Sequence, residues 1–304
     1  PANGGIDLVT LSNSTALLGA LRSGEVDVLL ASGLEIDHQQ ALHRDAAAGR
    51  LREGGGPPLS IGFFSLLTDQ PPLNNLTLRR ALARSLDRAT ITERVSLGMR
   101  PALRQLIPPS LAGSDPEAWP TYDPAAARAL YRQAGYCNGK VFGLPLTFRS
   151  DIPSDRLLAL TWQAQVRRDL GDCLELQVSG MESTTAYDQL GKGALTLFFY
   201  DWIGDYPDPE NFLAPLLGCE KAEGDRCAKG NSALSGSFWS APGLDAELLR
   251  SSRLDGPERE RLLRAIQRRT AAAVPYLPVW LMAEQAWSGR RISAPQFDGS
   301  GRLR

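Results

Sequence analysis

Four acidic residues lie close together in the segment LTLFFYDWIGDYPDPENF, which covers residues 195–212. They are Asp201, Asp205, Asp208 and Glu210, and they follow a run of apolar residues. Two carboxylates a few ångströms apart could act as the acid and the base of a glycoside hydrolase. A single carboxylate shielded by aromatic rings could instead bind a cation such as an ammonium group. A solvated acidic loop is the purely structural alternative.

We single out Asp205 as the candidate for cation binding. Its neighbours Tyr200, Trp202 and Tyr206 could surround the carboxylate and remove part of its water. Asp205 could equally cap the helix predicted for PDPENFLAPLL, or accept hydrogen bonds from nearby backbone amides, as loop aspartates commonly do. The residues alone leave both interpretations open.

The sequence lacks the motifs of several enzyme classes. It contains no Gly-x-Ser-x-Gly elbow, no phosphate-binding Gly-Lys-Ser/Thr and no His-Glu-x-x-His. Its only histidines are His38 and His43, and its cysteines include no Cys-x-x-Cys pair, so the spacing does not favour zinc. We therefore expect no enzymatic activity, no cofactor and no metal.

The four cysteines suggest two disulfides. Their positions favour pairing Cys137 with Cys173 and Cys219 with Cys227. The second pair would close the loop CEKAEGDRC, which has too few apolar residues to hold its own shape. Disulfides indicate an oxidising compartment, whereas four free thiols in a cytoplasmic protein are the alternative.

Length and composition favour an ordinary globular protein of about two domains. The chain has 304 residues, and domains average roughly 150 residues. Its formal net charge is -1, so we expect no nucleic-acid partner. No apolar run approaches the roughly 18 residues of a membrane span, and the amino terminus shows no signal pattern. Because Pro1 is not preceded by methionine, we expect a longer natural protein.

The first third of the chain predicts a helix, a strand and a linker. Asn13 or Ser14 can cap a helix that stops at Gly24, before the strand VDVLLA. Residues 49–59 then lose all periodicity and contain three consecutive glycines and two prolines. We interpret this stretch as a linker and place a domain boundary after residue 58.

Helices dominate the next stretch. LTLRRALARSLDRATITERV repeats apolar residues as two amphipathic helices separated near Asp87 would. YDPAAARALYRQAGY predicts a third helix, with Asp123 as its cap and Pro124 at its first position.

The middle of the chain alternates between strand and helix patterns. Residues 144–150 and 174–180 alternate like strands, with a helical pattern between them, and STTAYDQL and ALTLFFYDW continue as helix and strand. This alternation predicts parallel strands with helices packed on the sheet.

A parallel sheet has consequences for the cysteines and the acidic segment. Cys137 and Cys173 each precede a strand, so they lie at the same edge and can pair. Ligands bind outside the opposite edge, at the carboxyl ends of the strands. The segment from Asp201 to Pro209 lies at that edge, and it is therefore the candidate ligand site.

The order of several segments resembles the family 5 extracellular solute-binding proteins, the peptide and nickel class of receptors for ABC importers. LRSGEVDVLL near the amino terminus resembles the family's segment ahead of the crossover between lobes, and the resemblance runs from about residue 6 to residue 298. The other segments that carry it are LRRALARSLDRATI, YDPAAARALYRQAGY, GDYPDPENF and GLDAELLRSSRLDGPERERLLRAIQRRTAAAVPYLPVW.

The resemblance implies an α/β fold of the type II periplasmic binding protein class. It places residues 1–58 in the late part of the first lobe, residues 59–272 in a second lobe with a parallel sheet and helices, and residues 273–304 in a return to the first lobe. Members of the family carry a long additional segment before the equivalent of residue 1. We therefore expect a carboxyl-terminal portion that lacks about half of the usual ligand cavity.

The resemblance also implies a site and partners. In peptide-binding members, the aspartate of a Trp-x-x-Asp-Tyr segment receives the amino-terminal ammonium of the peptide, and Trp202, Asp205 and Tyr206 match that segment. With Tyr200, these are the expected ligand-binding residues. We expect a monomer that takes a peptide or small molecule to membrane permease subunits, in the periplasm or outside the cell, with a lipid anchor in a preceding segment as one option.

Other functions remain open at this stage. The ligand-sensing domain of a regulator can use the same fold, although disulfides speak against it, and a carboxylate-dependent hydrolase is a further alternative. Nickel binding is disfavoured because His38 and His43 both precede the second lobe.

Overall fold

The computed structural model describes residues 5–11 and 13–304. Its helices are, in chain order, α1 Ser14–Ser23, α2 Ile36–Ala47, α3 Leu76–Ser85, α4 Arg88–Ser96, α5 Pro124–Gln133, α6 Pro153–Leu170, α7 Ser183–Gly191, α8 Glu210–Leu217, α9 Asn231–Leu234, α10 Leu244–Ser251 and α11 Gly256–Ala273. Its strands are β1 Val28–Leu30, β2 Arg52–Gly55, β3 Ser60–Leu66, β4 Phe142–Arg149, β5 Leu174–Met181, β6 Leu197–Ile203, β7 Lys221–Glu223, β8 Arg226–Lys229, β9 Tyr276–Met282 and β10 Gln285–Ser288. None of the helices described is both long and apolar enough to cross a lipid bilayer.

The chain divides into two units. Unit 1 consists of the residues up to Pro57 together with Ala283–Arg304, and unit 2 consists of Pro58–Met282. The sequence placed the return to the first lobe at residue 273, earlier than the observed division. The reason is β9, which pairs with β3 and so belongs to the sheet of unit 2.

Unit 1 contains a three-stranded antiparallel sheet in the order β1-β10-β2. Its helix α1 has the predicted ends, since the Asn13 side chain accepts a hydrogen bond from the Ala16 amide at 2.9 Å and Gly24 ends the helix at φ 78°. The predicted linker at 49–59 is partly wrong, because β2 lies within it. Gly54 fits this strand because a Cβ atom there would lie 1.9 Å from the carbonyl oxygen of Pro295.

Unit 2 is built on a five-stranded sheet in the order β5-β4-β6-β3-β9. As predicted, β4 runs parallel to β5 and to β6, and α6 and α7 connect these strands. The sequence predicts a parallel sheet for the second lobe, but the sheet is mixed, because β3 runs antiparallel to both β6 and β9. The sheet neighbours of β3 are β6 and β9, and several helices and strands separate β3 from each of them along the chain, so no single strand-helix-strand unit sets its direction.

The core of unit 2 lies against both faces of this sheet and is rich in aromatic side chains. All seven residues of β3 are buried, and Phe64 packs against Trp162 of α6 with ring centroids 4.7 Å apart. On β3, Gly62 faces Trp280, and a Cβ atom there would lie 2.3 Å from the indole nitrogen. Glycine is therefore required for β3 to pack beneath Trp280.

Two helices of unit 2, α4 and α5, begin where the sequence predicts. The Asp87 side chain accepts a hydrogen bond from the Thr90 amide at 3.2 Å and begins α4 directly after α3. The Asp123 side chain caps α5 at 2.9 Å, with Pro124 in its first turn. These short polar side chains satisfy backbone amides that have no partner inside the helix.

Both predicted cysteine pairs are disulfide-bonded in the structure. Cys137 joins Cys173 with sulfur atoms 2.19 Å apart, and Cys219 joins Cys227 at 2.13 Å. The first bond links the segments that enter the adjacent parallel strands β4 and β5, as expected. The second closes the hairpin of β7 and β8.

The two disulfides should stabilise the protein unequally. They span 36 and 8 residues. Replacing Cys137 and Cys173 together by alanine should lower the free energy of unfolding by about 4 kcal/mol, against about 2.5 kcal/mol for Cys219 and Cys227, because the longer loop restricts the unfolded chain more. Urea unfolding of the two double variants measures this difference. Alkylation of unreduced, denatured protein is the control, and labelling of all four thiols would contradict both pairings.

Candidate functional site

The candidate site lies at one edge of the sheet in unit 2. Because β4, β5 and β6 are parallel, their carboxyl ends meet there, at Arg149, Met181 and Ile203. The candidate residues Asp205 and Tyr206 follow β6 directly. The structure therefore places them at the edge that the strand order predicts for a ligand.

The loop that carries Asp205 is fixed by its backbone. The Gly204 amide donates to the carbonyl oxygen of Leu59 at 2.8 Å, and the Asp205 amide donates to Oδ1 of the buried Asn211 at 2.8 Å. Gly204 also lies against Phe212, where a Cβ atom would be 2.7 Å from the ring. The side chain of Asp205 thus projects from a backbone of fixed position.

The four predicted ligand-binding residues differ in exposure. Asp205 and Tyr206 are exposed, and Trp202 is half-buried against the core. The Trp202 indole N–H is buried and has no acceptor in the part of the chain that the structure describes. Tyr200 belongs to the core: it is 5% exposed, and its hydroxyl donates to the carbonyl oxygen of Ser235 at 2.9 Å. Asp205 is therefore more exposed than predicted from the three aromatic residues close to it in the sequence.

Asp208 lies just before the start of α8 and is held there by two interactions. Oδ1 of Asp208 accepts from the Glu210 amide at 2.8 Å, at the start of α8. Both carboxylate oxygens also bind the guanidinium of Arg259, at 2.7 and 2.8 Å. Although burial opposes ionisation, the hydrogen bonds from Arg259 and from the Glu210 amide lower the pKa of Asp208.

Sequence reasoning missed a buried charge cluster at the same edge, which we call the Arg149 cluster. It consists of Arg149, Asp155, Tyr187 and Asp201. Arg149 ends β4 and is 9% exposed; its Nε donates to Asp155 Oδ2 at 2.7 Å and its Nη1 to the Tyr187 hydroxyl at 3.0 Å. Its Nη2 forms an ion pair with Asp201. An arginine that ends an apolar strand was the available signal, but its partners come from three other elements and follow no local spacing.

The Arg149 cluster holds two carboxylates on one guanidinium. Burial raises the pKa of Asp155 to about 7, because desolvation outweighs the attraction of Arg149. Burial opposes the charge on Arg149 as well, but Asp201 and Asp155 together raise the pKa of Arg149 above its ordinary value. The guanidinium is therefore permanently charged, and Asp155 is the group that titrates.

Asp155 and Asp208 are poorly placed to act as the acid pair of a glycoside hydrolase. Asp155 has a raised pKa but is only 1% exposed, and Asp208 is bound by Arg259. A hydrolase needs both carboxyl groups within reach of a substrate. In unit 1, ligand atoms of Glu35, Asp37 and His38 lie within 4.8 Å of one another, but such exposed acidic groups are common without a metal ion.

The sequence is similar to those of one known protein family. The model of the family "Bacterial extracellular solute-binding proteins, family 5 Middle" matches residues 1–224. Heme-binding protein A of Haemophilus influenzae is 26% identical over 276 residues, covering 88% of this chain and 46% of the relative. The dipeptide-binding protein of Escherichia coli is 29% identical over 175 residues, covering 55% of this chain and 31% of the relative. The chain thus spans about half the length, or less, of these relatives.

Solved structures show the same fold. A dipeptide-binding protein from Pseudoalteromonas sp., crystallised with Met-Leu, superposes with a TM-score of 0.81 at 22% identity, covering 96% of this chain and 55% of that one. A periplasmic binding protein from Helicobacter pylori, crystallised with a peptide, gives 0.78 at 23% identity, with 93% and 52% coverage. The fold is that of the type II periplasmic binding proteins, which confirms the fold class predicted from the sequence.

The raised pKa of Asp155 should appear in the stability of the protein. Between the ordinary pKa of 3.8 and the native value of about 7, the native state binds more protons than the unfolded state, so the free energy of unfolding falls as pH rises. Asp155→Asn cannot ionise and lacks this dependence. From pH 5 to pH 8, the wild type should therefore lose about 1–3 kcal/mol relative to the variant in urea unfolding.

The surface variant Asp188→Asn serves as the control for this measurement, because Asp188 is exposed and pairs only locally with Lys192. A difference between wild type and Asp155→Asn that stays constant from pH 5 to pH 8 would contradict the raised pKa.

Proposed function

This chain belongs to the bacterial extracellular solute-binding proteins of family 5, and we propose that it is part of the solute-binding receptor of an ABC-type importer. The observation that carries the proposal is the position of Asp205. Its carboxylate is exposed at the carboxyl edge of the unit 2 sheet, on a backbone fixed by Asn211 and by the Leu59 carbonyl. In the proposed receptor this carboxylate receives the cationic group of the ligand.

The charges of this edge favour a cationic or zwitterionic solute such as a peptide. Two arginines of this edge are paired with carboxylates: Arg149 with Asp155 and Asp201, and Arg259 with Asp208. A ligand ammonium group would form a charge-assisted bond with the exposed carboxylate of Asp205. The relatives described above include dipeptide-binding proteins.

The aromatic residues of the edge supply apolar surface for the same ligand. Trp202 is half-buried, and Tyr206 is 45% exposed with its hydroxyl donating to Glu210 at 2.5 Å. Exposed aromatic rings beside a carboxylate can contact both the cation and the apolar part of a peptide. Tyr200 supports this edge from the core through its hydrogen bond to Ser235.

The two disulfides support an oxidising compartment. We therefore place the receptor in the periplasm or outside the cell, with permease subunits in the membrane as its partners. We assign unit 2 to the second lobe and unit 1 to part of the first lobe.

Asp205→Asn tests the proposed site in the natural protein that contains this chain. Loss of the charge-assisted bond to a ligand ammonium should weaken peptide binding by about 2–5 kcal/mol. The melting temperature should barely change, because Asp205 is exposed. Calorimetry with a dipeptide mixture measures the first quantity and thermal unfolding the second.

Asp208→Asn is the matched control, three residues away. It removes the ion pair with Arg259 and weakens the start of α8, so it should lower thermal stability and leave peptide affinity nearly unchanged. Unchanged affinity for a cationic ligand in Asp205→Asn would overturn the assignment of Asp205. Absence of peptide binding in the wild-type protein would overturn the ligand class.

A further inference from the structure

A cavity of about 470 Å³ lies in unit 2, where the start of α4 meets the segment that follows that helix. It shares no lining residue with the candidate ligand site at Asp205. Its volume falls within the range of about 300–1,000 Å³ that is usual for small-molecule sites. The charged residues of its lining are Asp87, Arg88 and Arg104.

Arg88 is a buried cation with an incomplete set of partners. It is 4% exposed, and its Nε donates to the carbonyl oxygen of Pro278 at 2.5 Å and its Nη1 to that of Pro120 at 3.3 Å. Its Nη2 is buried without a hydrogen-bond acceptor among the described residues. Buried guanidinium groups are normally paired with a carboxylate or another anion, because desolvation of an isolated charge is costly.

Arg104 places a second positive charge on the same cavity. It is half-buried, and its Nη1 donates to the carbonyl oxygen of Trp119 at 3.3 Å. Within residues 5–11 and 13–304, neither Arg88 nor Arg104 forms an ion pair with a carboxylate. Burial, and then the charge of Arg104, lower the pKa of Arg88 to about 9, as expected for two cations that face one cavity.

Asp87 does not neutralise this pair. Its Oδ1 accepts from the Thr90 amide at 3.2 Å and its Oδ2 from the Thr90 hydroxyl at 2.7 Å, so both oxygens are directed to the start of α4. Asp87 is the acidic residue of the lining. The cavity therefore carries two guanidinium groups against one carboxylate that is already engaged.

Hydrogen bonds within the described part of the fold satisfy only two of the three guanidinium nitrogens of Arg88. Its Nε donates to a backbone carbonyl of β9, an edge strand of the sheet. Its Nη1 donates to a backbone carbonyl in the segment before α5. These bonds do not explain why the buried charge of Arg88 lacks a carboxylate partner among the described residues, nor why a second arginine lines the same cavity. An oxyanion in the cavity would offset both charges, and guanidinium groups bind carboxylate and phosphate oxygens through two parallel hydrogen bonds.

We propose that this cavity is a binding site for a small oxyanion, a carboxylate or phosphate group, held by Arg88 and Arg104. The inference is independent of the solute-binding function at Asp205. The anion would accept hydrogen bonds from the guanidinium of Arg104 and offset the buried charge of Arg88, and the cavity has room for a small organic molecule that carries it.

Binding of inorganic phosphate and of acetate to the chain tests the proposal. Isothermal titration calorimetry is performed at constant ionic strength with chloride as the balancing ion. At least one of the two anions should bind saturably, and Arg104→Gln should weaken that binding at least tenfold. Arg261→Gln removes an exposed arginine of α11 that lines no part of the cavity, and it should bind as the wild type does.

Arg104 is the preferred position because replacing Arg88 would also remove its bonds to Pro120 and Pro278 and could unfold the protein. Binding of phosphate alone would identify a phosphate site, and binding of acetate alone a carboxylate site. Absence of saturable binding by either anion, or equal binding by wild type and Arg104→Gln, would overturn the proposal.

Discussion

The antiparallel pairing of β3 with β6 is the constraint on which the candidate site depends. The register matches Ser60 with Ile203, and the next hydrogen bond, from the Gly204 amide to the Leu59 carbonyl, continues the ladder into the loop. Asp205 is therefore placed by the sheet rather than by a flexible connection. The same strand pairs with β9 on its other side, and Gly62 allows Trp280 to pack across it. A shift of this register by one residue would turn every side chain of β6 to the other face and move Asp205 away from the edge.

Arginine has opposite environments at two places in unit 2. At the carboxyl edge of the sheet, Arg149 is shared by two carboxylates. In the cavity beside α4, Arg88 and Arg104 have no carboxylate partner among the described residues, and the excess charge is positive. Burial strengthens the electrostatics of both places, because a low dielectric strengthens every unscreened charge. The two places thus differ in whether the buried guanidinium has a carboxylate partner.

Local chemistry decided which parts of the fold the sequence could predict. Helix ends at Asn13, Asp87 and Asp123 were predictable because each cap satisfies amides within a few residues of itself. The antiparallel direction of β3 was not, since its partners lie far along the chain and leave no periodic pattern in it. At the site, the segment around Asp205 was recognisable, but the Arg149 cluster combines four elements and has no sequence spacing of its own. At the start of α8, the Asp208 carboxylate accepts a hydrogen bond from the Glu210 amide and binds Arg259, which lies far along the chain.

The bond between Cys137 and Cys173 encloses β4 and the whole of α6 in one covalent loop. A protease that cuts the chain once within this loop would leave two fragments that are still joined through sulfur. Both cut ends would remain attached to strands that pair along their full length, β4 with β5. Outside the reducing environment of the cytoplasm, unit 2 would thus tolerate a nick in the region between these cysteines without releasing either fragment, whereas after reduction only non-covalent contacts would hold the fragments together.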